Sequence, residues 1–307
     1  MISSFNEWDS LKKIVVGEAS YANWPVNDPI FSLESEKTLW KESPVPAGAV
    51  PQWIINETNE DLQTLADTLT KLGVEVIRPN LIDFQKADGM YNYCPRDRLI
   101  VHGTTVIDPA MMYPCRDIEV LAYYDVIQQA EKFISMPRNQ GMVLDAANVL
   151  RLGPDWMLFL ESASGNKAAY DWLCEQLPTV EIELCNFYAG VHIDSTISVL
   201  REGLVLLNAS RVNELNCPKV FNKWDKIYID EVVPQSFYQY PYASKWIAMN
   251  VLSIDPKTVI VDKHQTELIR KLEQWQLTVI PLELRHSRTL GGGFHCVTLD
   301  LFREHHK

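Results

Sequence analysis

Short apolar runs and helical stripes alternate along this chain, and the order in which they alternate repeats. Lys12-Lys13-Ile14-Val15-Val16-Gly17 is an apolar run closed by glycine and reads as a buried strand. Over residues 56–72, Leu62, Leu65, Leu69 and Leu72 recur at helical spacing, and Gly73 follows where a helix commonly stops. Residues 74–78 then alternate as a strand and end at Pro79. The same helix-to-strand order predicts a helix over 118–133, and a helix over 166–177 followed by a strand at 180–184. A weaker helix at 212–224 precedes a strand at 226–229, and a helix at 264–276 precedes a strand at 278–282. Residues 20–53, rich in Pro, Trp and Ser with little periodicity, read as a long surface excursion that wraps the domain.

Between these pairs lie loops that lead into apolar hairpins. Leu99-Ile100-Val101 turns at His102-Gly103, and Ile197-Ser198-Val199-Leu200 turns at Glu202-Gly203. A polar residue marks each loop-to-hairpin junction: Asp97, Asp145, His192 with Asp194, Ser244 and Cys296. From Asp97 through Asp145, His192 and Ser244 to Cys296 the steps are 48, 47, 52 and 52 residues. Self-similarity at a fixed period is the mark of a repeat architecture in which each unit buries its face against the next. Here the unit is strand-strand-helix-strand, and five in a ring would bring five junctions to one central opening. Even spacing alone is also compatible with an ordinary mixed α/β chain.

Bulk composition narrows the chemistry. A hydrophobic fraction of 47% supplies a sizeable core, and the net charge of -12 argues against nucleic acid and against an anionic membrane surface. Such acidity suits a cationic small substrate, although it also serves solubility. The six cysteines form no C-x-x-C and no short Cys/His spacing, so free thiols in a reducing, cytoplasmic setting are expected. Neither a basic leader followed by an apolar stretch nor a run of membrane-spanning length is found.

Candidate chemistry gathers at the junctions. Leu290-Gly291-Gly292-Gly293-Phe294-His295-Cys296 removes three successive Cβ atoms, so another group can approach the backbone closely. It also sets a cysteine at the mouth of the strand 297–301. A lone cysteine is more often a small buried hydrophobe than a nucleophile. Asp97, between Arg96 and Arg98, reads alone as a surface ion pair. Asp145, among apolar residues and alanines, is costly to bury without a partner. In His192-Ile193-Asp194 strand alternation would turn both polar side chains to one side.

As a set these residues have a logic. Paired carboxylates match the planar fork of a guanidinium. A thiolate is nucleophilic and is favoured beside a cation. A histidine held by a carboxylate can move a proton to a leaving amine and take one from an incoming nucleophile. Together they describe covalent chemistry at a guanidinium carbon. A metal site from Cys296, His295, His192 and Asp145 and a non-catalytic arginine-binding module are the readings from other classes.

Asn6-Glu7-Trp8-Asp9, Pro95-Arg96-Asp97, Leu144-Asp145-Ala146-Ala147, His192-Ile193-Asp194, Ser244 through Asn250, and Gly291-Gly292-Gly293-Phe294-His295-Cys296 resemble, in order, segments of the arginine amidinotransferases. The nearest resemblance is to the glycine and inosamine-phosphate amidinotransferase group of the guanidine-modifying superfamily, over nearly the whole chain. It implies one domain over residues 1–307, a fivefold pseudosymmetric α/β propeller of strand-strand-helix-strand units around a central active-site cleft. It implies Cys296 as nucleophile, His192 as general acid/base and Asp145 as its carboxylate partner. Asp97 and Asp194 would clamp the guanidinium, Arg211 would bind a substrate carboxylate, and Ser244 would line the cleft. The implied reaction moves the amidino group of L-arginine through an amidino-cysteine to a small primary amine and releases ornithine. If water reached that intermediate, the same residues would give a deiminase-type hydrolase. No cofactor or metal is implied, and a homo-oligomer is compatible with the sequence without being fixed by it.

Asn148, Ala243 and Val191 depart from the family pattern, as does the loop at residues 186–190 and the short stretch after Cys296. Ala243 in place of a serine implies a more apolar acceptor pocket, which weakens the case for glycine as acceptor.

Overall fold

The computed structural model describes residues 1–32, 45–187 and 190–305. Among the described residues five three-stranded sheets carry the fold, and each is built the same way. An antiparallel pair comes first, a helical connection follows, and a third strand returns parallel to the second. The sheets comprise Ile100–His102, Thr105–Asp108 and Lys132–Ser135; Val149–Arg151, Trp156–Leu160 and Glu181–Cys185; Ile197–Arg201, Leu204–Asn208 and Asp225–Ile229; and Leu252–Asp255, Thr258–Asp262 and Thr278–Leu282. The remaining sheet joins the two ends of the chain: Thr298–Glu304 pairs antiparallel with Ser10–Val16, which pairs parallel with Glu75–Ile77. The repeat read from the spacing is therefore present as strand-strand-helix-strand units.

First strands of neighbouring sheets meet, Thr298–Glu304 with Ile100–His102 and Ile197–Arg201 with Leu252–Asp255. Their leading ends, and the loops before them, accordingly face the middle of the molecule. The second strand Leu204–Asn208 is buried on both faces, Leu204 and Leu206 joining one core cluster and Val205 and Leu207 another.

The longest connection, Gln52–Lys71, buries Ile55, Leu62, Leu65 and Leu69 along one stripe. It stops because Gly73 takes φ +83°, which lets Val74 N–H reach the Leu69 carbonyl at 3.0 Å. Leu72, placed in that stripe by spacing, is the C-cap and is largely exposed. Helix Lys167–Gln176 starts where Asn166 accepts from Ala169 N–H at 3.0 Å.

Three expectations are corrected. Residues 118–133 are not one helix: a 3-10 segment, Pro114–Tyr123, runs into Tyr124–Ile127, and Phe133 belongs to a strand. Its apolar residues do not share a face, since Leu121 and Tyr124 point to solvent while Ala122, Tyr123 and Val126 are buried. Over 212–224 only Lys219–Lys223 is helical, in 3-10 form. There Asn213 and Asn216 side chains bond the backbone of Leu215, Asn213 and Arg211, competing with helix formation. The stretch 20–53 is more than a surface wrap, because Ala22, Trp24, Phe31 and Val50 join the core that holds Cys296. The part of it at residues 33–44 lies outside the described residues. Among the described residues no helix is long and apolar enough to cross a membrane.

Candidate active site

Every marked junction sits just before the first strand of its sheet. Asp97 lies in the four-residue helix Pro95–Arg98, with proline at the first helical position where its missing N–H costs nothing. Asp145 precedes the single 3-10 turn Ala146–Asn148. The segment at His192 is an irregular turn rather than a strand, and His192 itself has φ +56°. That backbone is held by Asn148, whose Oδ1 accepts His192 N–H at 2.9 Å. Ile193 still goes into the core while His192 and Asp194 face the site, so the expected sidedness survives the change of conformation.

The glycine run has a reason at each position. A Cβ on Gly291 would lie 2.3 Å from the Tyr242 ring, one on Gly292 would lie 2.5 Å from Cys94 Sγ, and one on Gly293 would lie 2.6 Å from Asn250 Cβ. Tyr91 and Tyr93 pin the run by donating to the Leu290 and Gly292 carbonyls. Asn250, at the end of the 3-10 helix Lys245–Met249, accepts the N–H groups of both His295 and Cys296 on Oδ1, at 2.8 and 2.9 Å.

Around Cys296, 1% exposed, the groups converge. Its Sγ lies 3.2 Å from Asp194 Oδ2. Asp194 also takes a 2.9 Å bond from His295 Nδ1. His192 Nε2 bonds Asp145 Oδ2 at 3.0 Å, and its Nδ1 lies 3.6 Å from Asp97 Oδ1. Asp145 is oriented in turn by Met112 N–H on its other oxygen at 2.8 Å. Asp97 is not paired with its chain neighbours. Arg96 goes to Asp300, Arg98 to Asp108, and Asp97 Oδ2 is bound instead by Arg116 at 2.9 Å. The other oxygen, Asp97 Oδ1, is buried without a hydrogen-bond partner.

Electrostatics follow from this crowding. Burial works against a charged His192, but Asp97 and Asp145 outweigh it and raise the imidazole to about 9. Burial pushes the Asp97 carboxyl up, with His192 and Arg116 opposing it only in part. Asp194 goes the other way, to about 2: burial disfavours its charge, and the bond and charge of His295, with His192 and Asn250, together more than offset that. Burial, then Asp194 and Asp97, push the Cys296 thiol well up, so it is protonated when no cation is bound.

Five expected residues, Cys296, His192, Asp145, Asp97 and Asp194, thus meet in one cluster. Arg211 sits beside it, donating to Ser195 Oγ and Thr196 Oγ1, the two residues after Asp194. Ser244 occupies the N-cap position of the 3-10 helix that delivers Asn250. Ala243 packs against the core cluster of Cys296. Val191 is exposed, and Tyr188 and Ala189 of the adjoining loop lie outside the described residues. Among the described residues no group of His, Cys, Asp or Glu has the makings of a metal centre.

Sequence reasoning missed the residues behind the cluster. Glu7 accepts from Arg151 at both oxygens (2.8 Å each), and Asp300 gathers Arg96, Arg151 and Arg303. A signal existed in Asp300, an acid between Leu299 and Leu301 in an apolar strand.

No family model matches the chain. The chain is 40% identical to inosamine-phosphate amidinotransferase 1 of Streptomyces griseus, across 99% of this chain and 97% of that protein. The solved structure of the inosamine-phosphate amidinotransferase from Streptomyces griseus superposes with a TM-score of 0.93 at 39% identity, covering 100% of this chain and 98% of that one. An amidinotransferase of the saxitoxin biosynthetic pathway from Microseira wollei superposes with a TM-score of 0.87 at 26% identity, over 99% of this chain and 98% of that chain.

Proposed function

Because the chain belongs to the inosamine-phosphate amidinotransferase family and is an amidinotransferase, we propose that Cys296 carries the amidino group of L-arginine and that His192 moves the protons. The observation that best supports this reading is Asp97 Oδ1, a buried carboxylate oxygen that no group reaches at hydrogen-bond distance, with His192 Nδ1 at 3.6 Å. Such an oxygen is costly to leave unpaired, and a guanidinium supplies the missing donors.

Arginine enters as a cation between Asp97 and Asp194. Its charge offsets the two carboxylates that hold the thiol proton in place, so the thiol proton leaves to solvent as arginine binds. The thiolate attacks the guanidinium carbon. His192 is already protonated, with Nε2 engaged by Asp145, so Nδ1 protonates the departing amine and ornithine leaves. An amine acceptor then gives a proton to His192 and attacks the same carbon, and the Cys296 thiolate departs. Arg211 binds a substrate carboxylate, and Ser244 with Ala243 lines the acceptor side. Residues 1–307 act as one domain in this reading, closed by the pairing of Ser10–Val16 with Thr298–Glu304.

The acceptor is a small primary amine. The inosamine phosphate of the relatives' name is the first compound to try, with glycine as its counterpart. An acceptor screen with L-arginine as donor, followed by mass spectrometry, tests this. The expected result is ornithine formed in step with a guanidino product from an aminocyclitol phosphate and little from glycine. Citrulline accumulating without any acceptor product contradicts transfer.

A further inference from the structure

His295 stands next to the nucleophile, yet the mechanism above gives it nothing to do. Both of its ring nitrogens are occupied by carboxylates, Nδ1 by Asp194 Oδ2 at 2.9 Å and Nε2 by Glu7 Oε2 at 3.2 Å. A neutral imidazole has one N–H and can donate to only one of them, so the ring is an imidazolium. Burial disfavours that charge, but Asp194 and Glu7 raise the ring above its ordinary value. Its backbone is held as firmly, by Asn250 on the N–H side and Arg96 Nε on the carbonyl side.

We propose that His295 is a positioning residue for amidino transfer, fixing Asp194 for arginine through Nδ1 and shielding the Cys296 thiol from that carboxylate by its charge. The proposal rests on Asp194 being an arginine clamp. Asp194 Oδ2 is the oxygen that meets both His295 Nδ1 and Cys296 Sγ. Without a donor at Nδ1 the carboxylate is free to rotate and grips arginine less well. Without a cation there, a thiolate 3.2 Å away faces an uncompensated negative oxygen. Through Nε2 the ring joins Glu7, which Arg151 and Arg96 hold in turn. The clamp is thereby anchored to charges drawn from the N-terminal segment and from two other sheets' loops and strands. The charged or titratable groups facing His295 and the thiol are Glu7, Arg96, Asp97, Asp194, Cys94 and Tyr93.

The test uses the full chain and two readouts: the arginine KM for single-turnover ornithine release, and the pH profile of Cys296 alkylation by iodoacetamide. His295→Leu removes both donor and charge. His295→Asn keeps an amide nitrogen near the Nδ1 position but no charge. Expected is a rise in arginine KM of about tenfold or more for His295→Leu, against less than about threefold for His295→Asn, since only the latter retains the bond. Both variants should shift the alkylation profile to higher pH. In an Asp194→Asn background His295→Leu should add nothing further to KM, because the residue it acts through is already altered. An undiminished extra effect in that background, or an unchanged arginine KM in His295→Leu, overturns the proposal. If His295→Leu does not fold, His295→Asn decides, and an unshifted alkylation profile overturns it. Asp194→Asn with a normal arginine KM is a different failure: it removes the clamp itself, and the role of His295 with it.

Discussion

His192 combines an unfavourable backbone with a favourable ring. A positive φ is costly for a residue with a Cβ, and here Asn148 meets that cost by capturing the N–H. The ring then lies between Asp145 and Asp97 and stays protonated to about pH 9. Only the protonated form can hand a proton to ornithine's departing amine. Single-turnover ornithine release should therefore hold up on the alkaline side until about pH 9 and fall beyond it. Asp145→Asn removes the partner at 3.0 Å and should bring that limb down toward the ordinary imidazole range, about 6.5. A wild-type limb already near that range would contradict the assignment. The stability linkage has the same sign. A folded-state pKa above the unfolded one stabilises fully below about 6.5 and loses that contribution as pH rises through about 9. At this scale the sequence was informative about the reacting groups and nearly silent about their holders. Cys296, His192 and the three acids stand out by residue type, whereas Asn250 acts through two backbone N–H groups that no side-chain pattern encodes.

The glycine run is the element on which the nucleophile depends. Gly293→Ala would drive a methyl group to 2.6 Å from Asn250 Cβ and 2.8 Å from its Oδ1, backed by the packed helix Lys245–Met249. The side chain that positions Cys296 must then move. We expect a loss of stability of about 1–3 kcal/mol and a fall in amidino-cysteine formation of about a hundredfold, since a displacement near 1 Å costs that much. Thermal unfolding and single-turnover rates measure the two, and normal activity in Gly293→Ala would refute the role given to Asn250. Elements of the ring were legible where one face is buried against a sheet, as in Lys167–Gln176 and Thr266–Gln274. They were illegible where the connection is short and 3-10, as in Pro114–Tyr123, because there the apolar residues split between core and solvent. The turn at His192 was misread for a related reason: Ile193 alternates with its neighbours in a turn as it would in a strand.

Over the whole molecule, the middle of the ring holds charge rather than hydrocarbon. Glu7 from the N-terminal segment, Arg96 and Arg151 from the next two units, and Asp300 and Arg303 from the last strand are all buried and mutually paired. Buried charge pairs of this kind add little over apolar packing, but breaking one leaves its partner stranded. Glu7→Ala should cost about 3–5 kcal/mol, read as a lowered unfolding midpoint, because Arg151 loses two of its three 2.8 Å carboxylate bonds and keeps only the one to Asp300. An unfolding midpoint equal to that of the unaltered chain would show that these charges do not hold the ring together. Because Arg151, Arg96 and His295 hold the Glu7 carboxyl well below its usual range despite burial, this stabilisation is present above the ordinary glutamate pKa. It is lost as pH falls through the depressed one. The repeat was visible in the sequence because each unit places its polar marker at the same point, before the first strand. The charged middle was not, since its members lie far apart along the chain and meet only when the ring closes.

All of these expectations depend on a covalent intermediate at one sulfur. Intact-protein and peptide mass spectrometry after incubation with L-arginine labelled at the guanidino carbon, without any acceptor, tests it most directly. The account predicts one labelled amidino group on the peptide containing Cys296, one equivalent of ornithine, and release of the label when an amine acceptor is added. Ornithine formed with Cys296 unlabelled, or label carried by another residue, would contradict it.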